Sequence, residues 1–165
     1  MGIRTGQQYI ESLRDNRRLL IDGKEVRDVT AYGPMRGIIE TIAALYDQQH
    51  DPALQDMLTF RSPANDQRVS RTYMQSQNLA QFRQQAACFH LRTQTTFGLM
   101  GRLTDFMSGY LIDNISGLRA LGKTDAADRT QALLEHCRDN DLVVTHALVD
   151  PQSDRSKHEA ASEAV

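Results

Sequence analysis

The chain has 165 residues, of which 40% are hydrophobic and 24% charged, and its formal net charge is −2. This length can bury one good hydrophobic core, so a single domain is expected. The balance of 19 basic against 21 acidic residues argues against a basic nucleic-acid binder. The longest apolar stretch is far short of the roughly 20 residues that cross a bilayer, and residues 1–16 lack the apolar core of a secretory signal. We therefore expect a cytoplasmic protein.

The first element predicted along the chain is a short helix followed by a β-hairpin. Thr5 and Gln8 have the spacing of a capping box, and the helix that they begin is expected to end near Asn16. Asp22-Gly23 then separates two apolar runs, which is the strongest short-range signal for a hairpin.

A second helix and a second hairpin come next. Gly33-Pro34 opens the helix and Asp51-Pro52 stops it. Its wide buried face is predicted to contain Ile38, Ile39, Ile42, Ala43, Leu45 and Tyr46. Two segments, 57–60 and 68–73, flank a cluster of turn residues and predict the hairpin.

Three further helices are predicted from Ser76 to about Met100, from about Thr104 to Leu121, and from Thr124 onward. The inward faces are predicted from apolar residues spaced three or four apart. They are Leu79, Phe82, Ala86, Phe89, Thr93 and Phe97 in the first, Met107, Leu111, Ile115 and Leu118 in the second, and Leu133, Leu134 and Cys137 in the third. Gly122 is placed to cap the second of these helices.

The end of the chain has a different composition. Residues 142–149 form an apolar run that is typical of an extended segment, and residues 151–165 contain almost no large apolar side chain. We expect a helical domain over residues 1–150 and a linker over residues 151–165. Cys88 and Cys137 are expected to be buried thiols, and the histidines lack metal-ligand spacing, so no metal site is expected.

Six short strings match one known family in order and spacing. They are residues 4–13 (RTGQQYIESL), 28–30, 45–50, 54–56, 98–106 (GLMGRLTDF) and 146–155 (HALVDPQSDR). On these strings the chain resembles the oxygenase components of 4-hydroxyphenylacetate 3-monooxygenases, together with the related chlorophenol monooxygenases and the pyoverdine chromophore hydroxylase. Each string alone is weak, but their order over nearly the whole chain carries the resemblance.

The resemblance implies a mainly α fold, namely the N-terminal helical domain of an acyl-CoA dehydrogenase-like fold, with one or two small β-hairpins. It also implies that family members continue beyond this sequence with a middle β-domain and a C-terminal helical bundle. In such enzymes a separate reductase supplies reduced FAD (FADH2). Oxygen adds to it as a C4a-hydroperoxide, and one oxygen atom is transferred to a phenol that is 4-hydroxyphenylacetate-like or chlorophenol-like. The full-length enzyme is expected to be a homo-oligomer, a tetramer.

Three residues are implied to lie at the phenol. The Arg102 guanidinium would contact the phenol oxygen and favour the more nucleophilic phenolate, unless it is a surface arginine at a helix start. His146 would accept the phenol proton or bind the hydroperoxide, unless it is a satisfied core histidine. Phe106 stands where several family members have a tyrosine that hydrogen-bonds substrate. It could line the pocket without donating, or it could be a core aromatic.

The flavin contacts are implied for the same string that contains His146. They are His146, Ala147, Leu148, Gln152, Ser153, Asp154 and Arg155. The polar turn at residues 152–155 can present backbone N–H groups and a guanidinium to a flavin. An exposed linker with an Asp-Arg ion pair is the alternative interpretation of that turn.

Two other functions remain open at this point. The first is a noncatalytic helical module that assembles with other subunits through an exposed apolar face. The second is an enzyme similar to 4-hydroxybutyryl-CoA dehydratases, which hold an iron-sulfur cluster on closely spaced cysteines. Residues 99–103 contain no cysteine, and Cys88 and Cys137 do not substitute, so this alternative is disfavoured.

Overall fold

The computed structural model describes residues 2–98 and 104–145. Within these ranges the chain is mainly α-helical, as predicted. The helices are α1 (Gly6–Ser12), α2 (Arg36–Asp47), α3 (Gln55–Leu58), α4 (Leu79–Thr95), α5 (Thr104–Ala120) and α6 (Thr124–Asp139). The strands are β1 (Leu19–Ile21), β2 (Lys24–Val26), β3 (Thr59–Arg61) and β4 (Arg68–Ser70). The expected domain boundary after residue 150 lies outside the described ranges.

The predicted capping box begins α1. The Gln8 N–H donates to Thr5 Oγ1, and the Thr5 N–H donates to Gln8 Oε1 at 2.8 Å. The prediction that this helix ends near Asn16 is wrong, because α1 ends at Ser12. Asp15 accepts a hydrogen bond from the Arg17 N–H, and such a side-chain turn competes with the helix.

Both predicted hairpins are present as antiparallel pairs, β1 with β2 and β3 with β4. In the first, Asp22 and Gly23 have φ values of 50° and 74°, as a tight two-residue hairpin turn requires. The second hairpin is shorter than predicted, because residues 71–73 form a 3₁₀ turn after β4.

The first hydrophobic core joins α1 to α2. Tyr9 stacks on Tyr46 with the ring centroids 5.1 Å apart. The helices approach so closely that a Cβ on Gly6 would lie 2.5 Å from the Ala43 carbonyl oxygen. The predicted buried face of α2 is confirmed except at Ile38, which is exposed.

The second core joins α5 to α6. Met107, Leu111 and Ile115 are buried, as predicted, and so are Leu134 and Cys137. Leu118 is half-buried, whereas Leu133 is exposed, so its predicted inward position is wrong. Successive helical residues are about 100° apart around the axis, so Leu133 and Leu134 cannot both lie on a narrow inward face. Gly122 has a φ of 69° and ends α5, as predicted.

The prediction for α4 is wrong in its length and its orientation. The Asn78 side chain accepts from the Gln81 N–H and begins the helix at Leu79, and the helix ends at Thr95. The predicted apolar stripe faces outward at four positions, Leu79, Phe82, Ala86 and Phe97, and only Phe89 and Thr93 are half-buried. Gln85 and Cys88 are the buried residues of this helix.

Polar groups on the neighbouring turn explain this orientation of α4. Gln85 Nε2 donates to the carbonyl oxygens of Met74 at 2.8 Å and Thr72 at 3.2 Å. The Ser76 hydroxyl donates to Gln85 Oε1. An apolar side chain could not satisfy these carbonyls, so the glutamine lies inward.

Residues 142–145 have no regular secondary structure, and the rest of the predicted extended segment lies outside the described ranges. Cys88 and Cys137 are free and buried, as predicted. None of the helices in the described ranges has the length and apolar character needed to cross a membrane.

Candidate functional site

The predicted site residues flank the ends of the described ranges. Of the predicted site residues, Phe106 lies within the described ranges. Those outside are Arg102, His146, Ala147, Leu148, Gln152, Ser153, Asp154 and Arg155. Phe106 lies in the first turn of α5 with 47% of its surface exposed, one turn before the exposed Tyr110. Its ring is therefore available to line a surface, and its contact with substrate stays a prediction.

A buried polar cluster formed by Arg4, Tyr46, Gln49 and Asp141 precedes the second predicted site segment. Arg4 Nη2 and Nε donate to the Asp141 carbonyl oxygen at 2.7 and 3.0 Å. The Tyr46 hydroxyl donates to the same oxygen at 2.6 Å. The Asp141 carboxylate accepts from the Arg4 backbone N–H at 3.0 Å and from Gln49 Nε2 at 2.9 Å. We call these four residues the Asp141 cluster.

Burial raises the pKa of two groups in the Asp141 cluster. Asp141 is 3% exposed, and burial raises the pKa of its carboxyl group, while the donors Arg4 N–H and Gln49 oppose that rise. Burial also raises the pKa of Tyr46, so its hydroxyl remains protonated and can donate. The Arg4 guanidinium lies 4.9 Å from the centre of the Tyr46 ring, which adds a cation–π contact. The cluster is therefore built to hold the Asp141 backbone in place.

The backbone of Asp141 is in the left-handed region, with a φ of 46°. The Leu142 N–H donates back to the Cys137 carbonyl oxygen at 2.9 Å, which closes the end of α6. The Tyr73 hydroxyl donates to the Leu142 carbonyl oxygen. Val143 packs against the first core, and Leu142 and Val144 pack against the second. Residues 141–144 are thus fixed between the two cores, immediately before the string that begins at His146.

Sequence reasoning did not assign a role to Arg4 or Asp141. Arg4 lies in a string that carries the family resemblance, but a charged residue before a helix is ordinarily exposed. Asn140-Asp141 follows the last apolar residue of α6, and both residue types tolerate the left-handed conformation that ends many helices. That pair was the available signal for the turn, although it gave no indication of its burial.

Comparison with known proteins establishes first the class of this fold and then its family. Residues 5–164 match the family model described as 4-hydroxyphenylacetate 3-hydroxylase N terminal. The oxygenase component of 4-hydroxyphenylacetate 3-monooxygenase from Thermus thermophilus is 30% identical over 155 residues, which are 93% of this chain and 31% of that protein. The fold is an acyl-CoA dehydrogenase-like helical domain. The chain belongs to the 4-hydroxyphenylacetate 3-hydroxylase N-terminal family.

The solved structures that are similar to the chain include a monooxygenase component and a dehydratase. One is the oxygenase component of 4-hydroxyphenylacetate 3-monooxygenase complexed with FAD and 4-hydroxyphenylacetate, with a TM-score of 0.83 and 30% identity. That match covers 96% of this chain and 33% of the other, so the chain spans about a third of the length of its relatives. The other is an archaeal 4-hydroxybutyryl-CoA dehydratase, with a TM-score of 0.76 and 21% identity over 98% of this chain and 32% of the other. At that identity it supports the fold alone.

The described side chains do not support an enzyme similar to the dehydratases. Cys88 and Cys137 lie buried in different helices, α4 and α6. In the parts of the chain that the structure describes, no three His, Cys, Asp or Glu side chains are placed to hold a metal ion. The expectation of no metal site for the whole chain stays a prediction.

Proposed function

We propose that this chain forms one wall of the active site in the oxygenase component of a two-component, FADH2-dependent monooxygenase that hydroxylates a phenol with O2. The family match over residues 5–164 carries this proposal. It is supported by the similarity to an oxygenase component whose crystal structure contains FAD and 4-hydroxyphenylacetate. The phenol of this protein is 4-hydroxyphenylacetate-like or chlorophenol-like.

In this proposal two residues act on the phenol. The Arg102 guanidinium binds the phenol oxygen and stabilises the phenolate, which makes the ring carbons more nucleophilic. His146 accepts the phenol proton. Bound reduced FAD supplies the activation of O2 for oxygen transfer to the ring. The segment from His146 to Leu148 and the turn at residues 152–155 contact the flavin.

Two features of the described residues support this proposal. Phe106 offers a half-exposed aromatic ring at the start of α5, which can pack on a phenol ring but cannot donate a hydrogen bond. The Asp141 cluster fixes the backbone five residues before His146, and a catalytic side chain needs such a rigid support. A separate flavin reductase, a tetrameric assembly and a cytoplasmic location complete the proposal.

The test is an anaerobic titration of reduced FAD into this chain and into a longer chain that continues through the middle and C-terminal domains of the family. We expect tight binding by the longer chain only, because the flavin site is shared between domains. Tight binding by neither chain would contradict the monooxygenase proposal.

The roles of individual residues are tested in the longer chain with matched controls. His146→Ala is expected to slow hydroxylation by roughly a hundredfold, the lower range for loss of a general base. His136→Ala, at an exposed position of α6, is the control for the same substitution. Arg102→Met is compared in the same way with Arg119→Met, at an exposed position of α5. Equal activities within each pair would remove the proposed roles.

A noncatalytic assembly module is the second candidate, and the outward stripe of α4 favours it. Leu79 and Phe82 of α4 are 61% and 60% exposed, and Phe97, which follows the end of the helix, is 92% exposed. Exposed apolar surface drives association. The same titration separates the two candidates. A module would associate with its partner and bind reduced FAD in neither form.

A further inference from the structure

A cleft is lined by the second hairpin and α4, and its described lining residues include none of those assigned to the phenol or the flavin. Its walls include Arg61 and Arg68 from β3 and β4, Arg71 from the turn after β4, and Gln81 and Gln84 from α4. The cleft has a volume of about 400 Å³. That volume lies in the range of small-ligand sites.

The charges around this cleft are unbalanced. Asp56 supplies its one lining carboxylate, which pairs with Arg68 at 3.0 Å. Neither Arg61 nor Arg71 has an ion-pair partner in the described ranges. Arg71 is buried and donates to the carbonyl oxygens of Asp56 and Thr59 at 2.8 and 2.6 Å. The Asp56 carboxylate also attracts its guanidinium, but that carboxylate forms its ion pair with Arg68. Residues 67–104 contain no Asp or Glu. Asp66 lies in the turn between β3 and β4, where its backbone carbonyl oxygen accepts from Arg61 Nη1 at 2.9 Å, and it is not among the residues that line the cleft.

The two glutamines present donors to the same cleft. Gln84 Oε1 accepts from Arg71 Nη1 at 3.1 Å, and because a guanidinium can only donate, this contact fixes the amide oxygen on that side. Gln81 Oε1 accepts from the Gln77 N–H at 2.7 Å. Each amide oxygen is therefore occupied, and each NH2 group remains as a donor. Guanidinium and amide donors together, with few acceptors, are what an oxyanion requires.

We propose that the cleft formed by Arg61, Arg68, Arg71, Gln81 and Gln84 binds a small organic anion through a phosphate or carboxylate group. Arg61 and the two amide NH2 groups donate to the anion, and the buried charge of Arg71 attracts it. Phe60 and Met74 give the cleft an apolar wall for the remainder of the molecule. This inference does not depend on the proposed monooxygenase function.

Calorimetric titration of the full chain with inorganic phosphate, and separately with benzoate, tests the site. The informative variant is Gln84→Glu, because a carboxylate still accepts the hydrogen bond from Arg71 but removes a donor and repels an anion. Its matched control is Gln94→Glu, the same substitution at an exposed position of α4 outside the cleft. We expect Gln84→Glu to weaken binding by about tenfold or more, and Gln94→Glu to change it by less than about twofold.

Because Gln84 contacts Arg71, its substitution can also disturb that arginine, so a second pair of variants changes residues that are not hydrogen-bonded to Arg71. Arg61→Gln should weaken binding, whereas Arg83→Gln, at an exposed arginine of α4, should not. Tighter binding of phosphate would identify a phosphate group as the ligand, and tighter binding of benzoate would identify an aromatic carboxylate. No binding of either probe, or equal weakening by a variant and its control, would overturn the proposal.

Discussion

Helices α2 and α4 both show apolar residues at helical spacing, yet they use that spacing in opposite ways. In α2, Ile39, Ile42 and Tyr46 face the core and pack against α1. In α4, the stripe that contains Leu79 and Phe82 faces outward, and the inward face holds a glutamine. Spacing therefore identifies a face of a helix without identifying the surface that the face will meet.

The surfaces opposite the two helices explain the difference. Helix α2 meets the aromatic ring of Tyr9, and the apolar side chains of Ile10 and Leu13 pack against the same core. Helix α4 meets the turn at residues 72–74, whose carbonyl oxygens need donors once they are buried. An unsatisfied buried carbonyl costs about 1–3 kcal/mol, which is comparable to the gain from burying one apolar side chain. On α4 the hydrogen bonds decide the orientation.

The largest effect is expected on the buried face of α2. Ile42→Ala removes a buried side chain from the first core, so the free energy of unfolding should fall by about 3 kcal/mol. Urea denaturation followed by circular dichroism measures this change. A loss below about 1 kcal/mol would mean that α2 and α1 do not share a packed core.

An apolar substitution on the inward face of α4 should also destabilise the protein. Gln85→Leu places an apolar side chain at a buried position, but it removes the donor to the carbonyl oxygens of Met74 and Thr72. We expect a loss of about 2 kcal/mol in the same denaturation experiment. Gln94→Leu, at an exposed position of the same helix, is the control and should be nearly neutral. If Gln85→Leu were stabilising, apolar burial and not hydrogen bonding would govern this face.

Local signals in the sequence were sufficient for much of this fold. The capping box at Thr5, the turn at Asp22-Gly23 and the cap at Gly122 each depend on a few neighbouring residues, and all three are present. The end of α1 depends on the side-chain turn at Asp15, and the exposure of Leu133 depends on the step of about 100° between neighbouring helical residues; the predictions from apolar spacing took neither into account. The orientation of α4 depends on hydrogen bonds to residues 72–76, which the spacing within the helix does not show.

The candidate site shows the same division. The six strings identified the family by their order and spacing, and the comparisons confirm it. The Asp141 cluster was not predicted, because Arg4 and Asp141 are separated by 137 residues. No sequence period links such positions, and each residue by itself is of a type that is usually exposed. The contact between Arg4 and Asp141 therefore became apparent only in the structure.

The smallest effect on stability is expected on the outward face of α4. Phe82→Ala removes an aromatic side chain, a larger truncation than Ile42→Ala, but the ring is 60% exposed. We expect the free energy of unfolding to change by less than about 0.5 kcal/mol. Because an exposed apolar ring still favours association, the same variant should reduce any self-association or partner binding measured by analytical ultracentrifugation. A stability loss as large as that of Ile42→Ala would show that the ring is covered within the chain. An unchanged association would show that the stripe on α4 is not an interaction surface, and the contrast between the two helices would then concern packing alone.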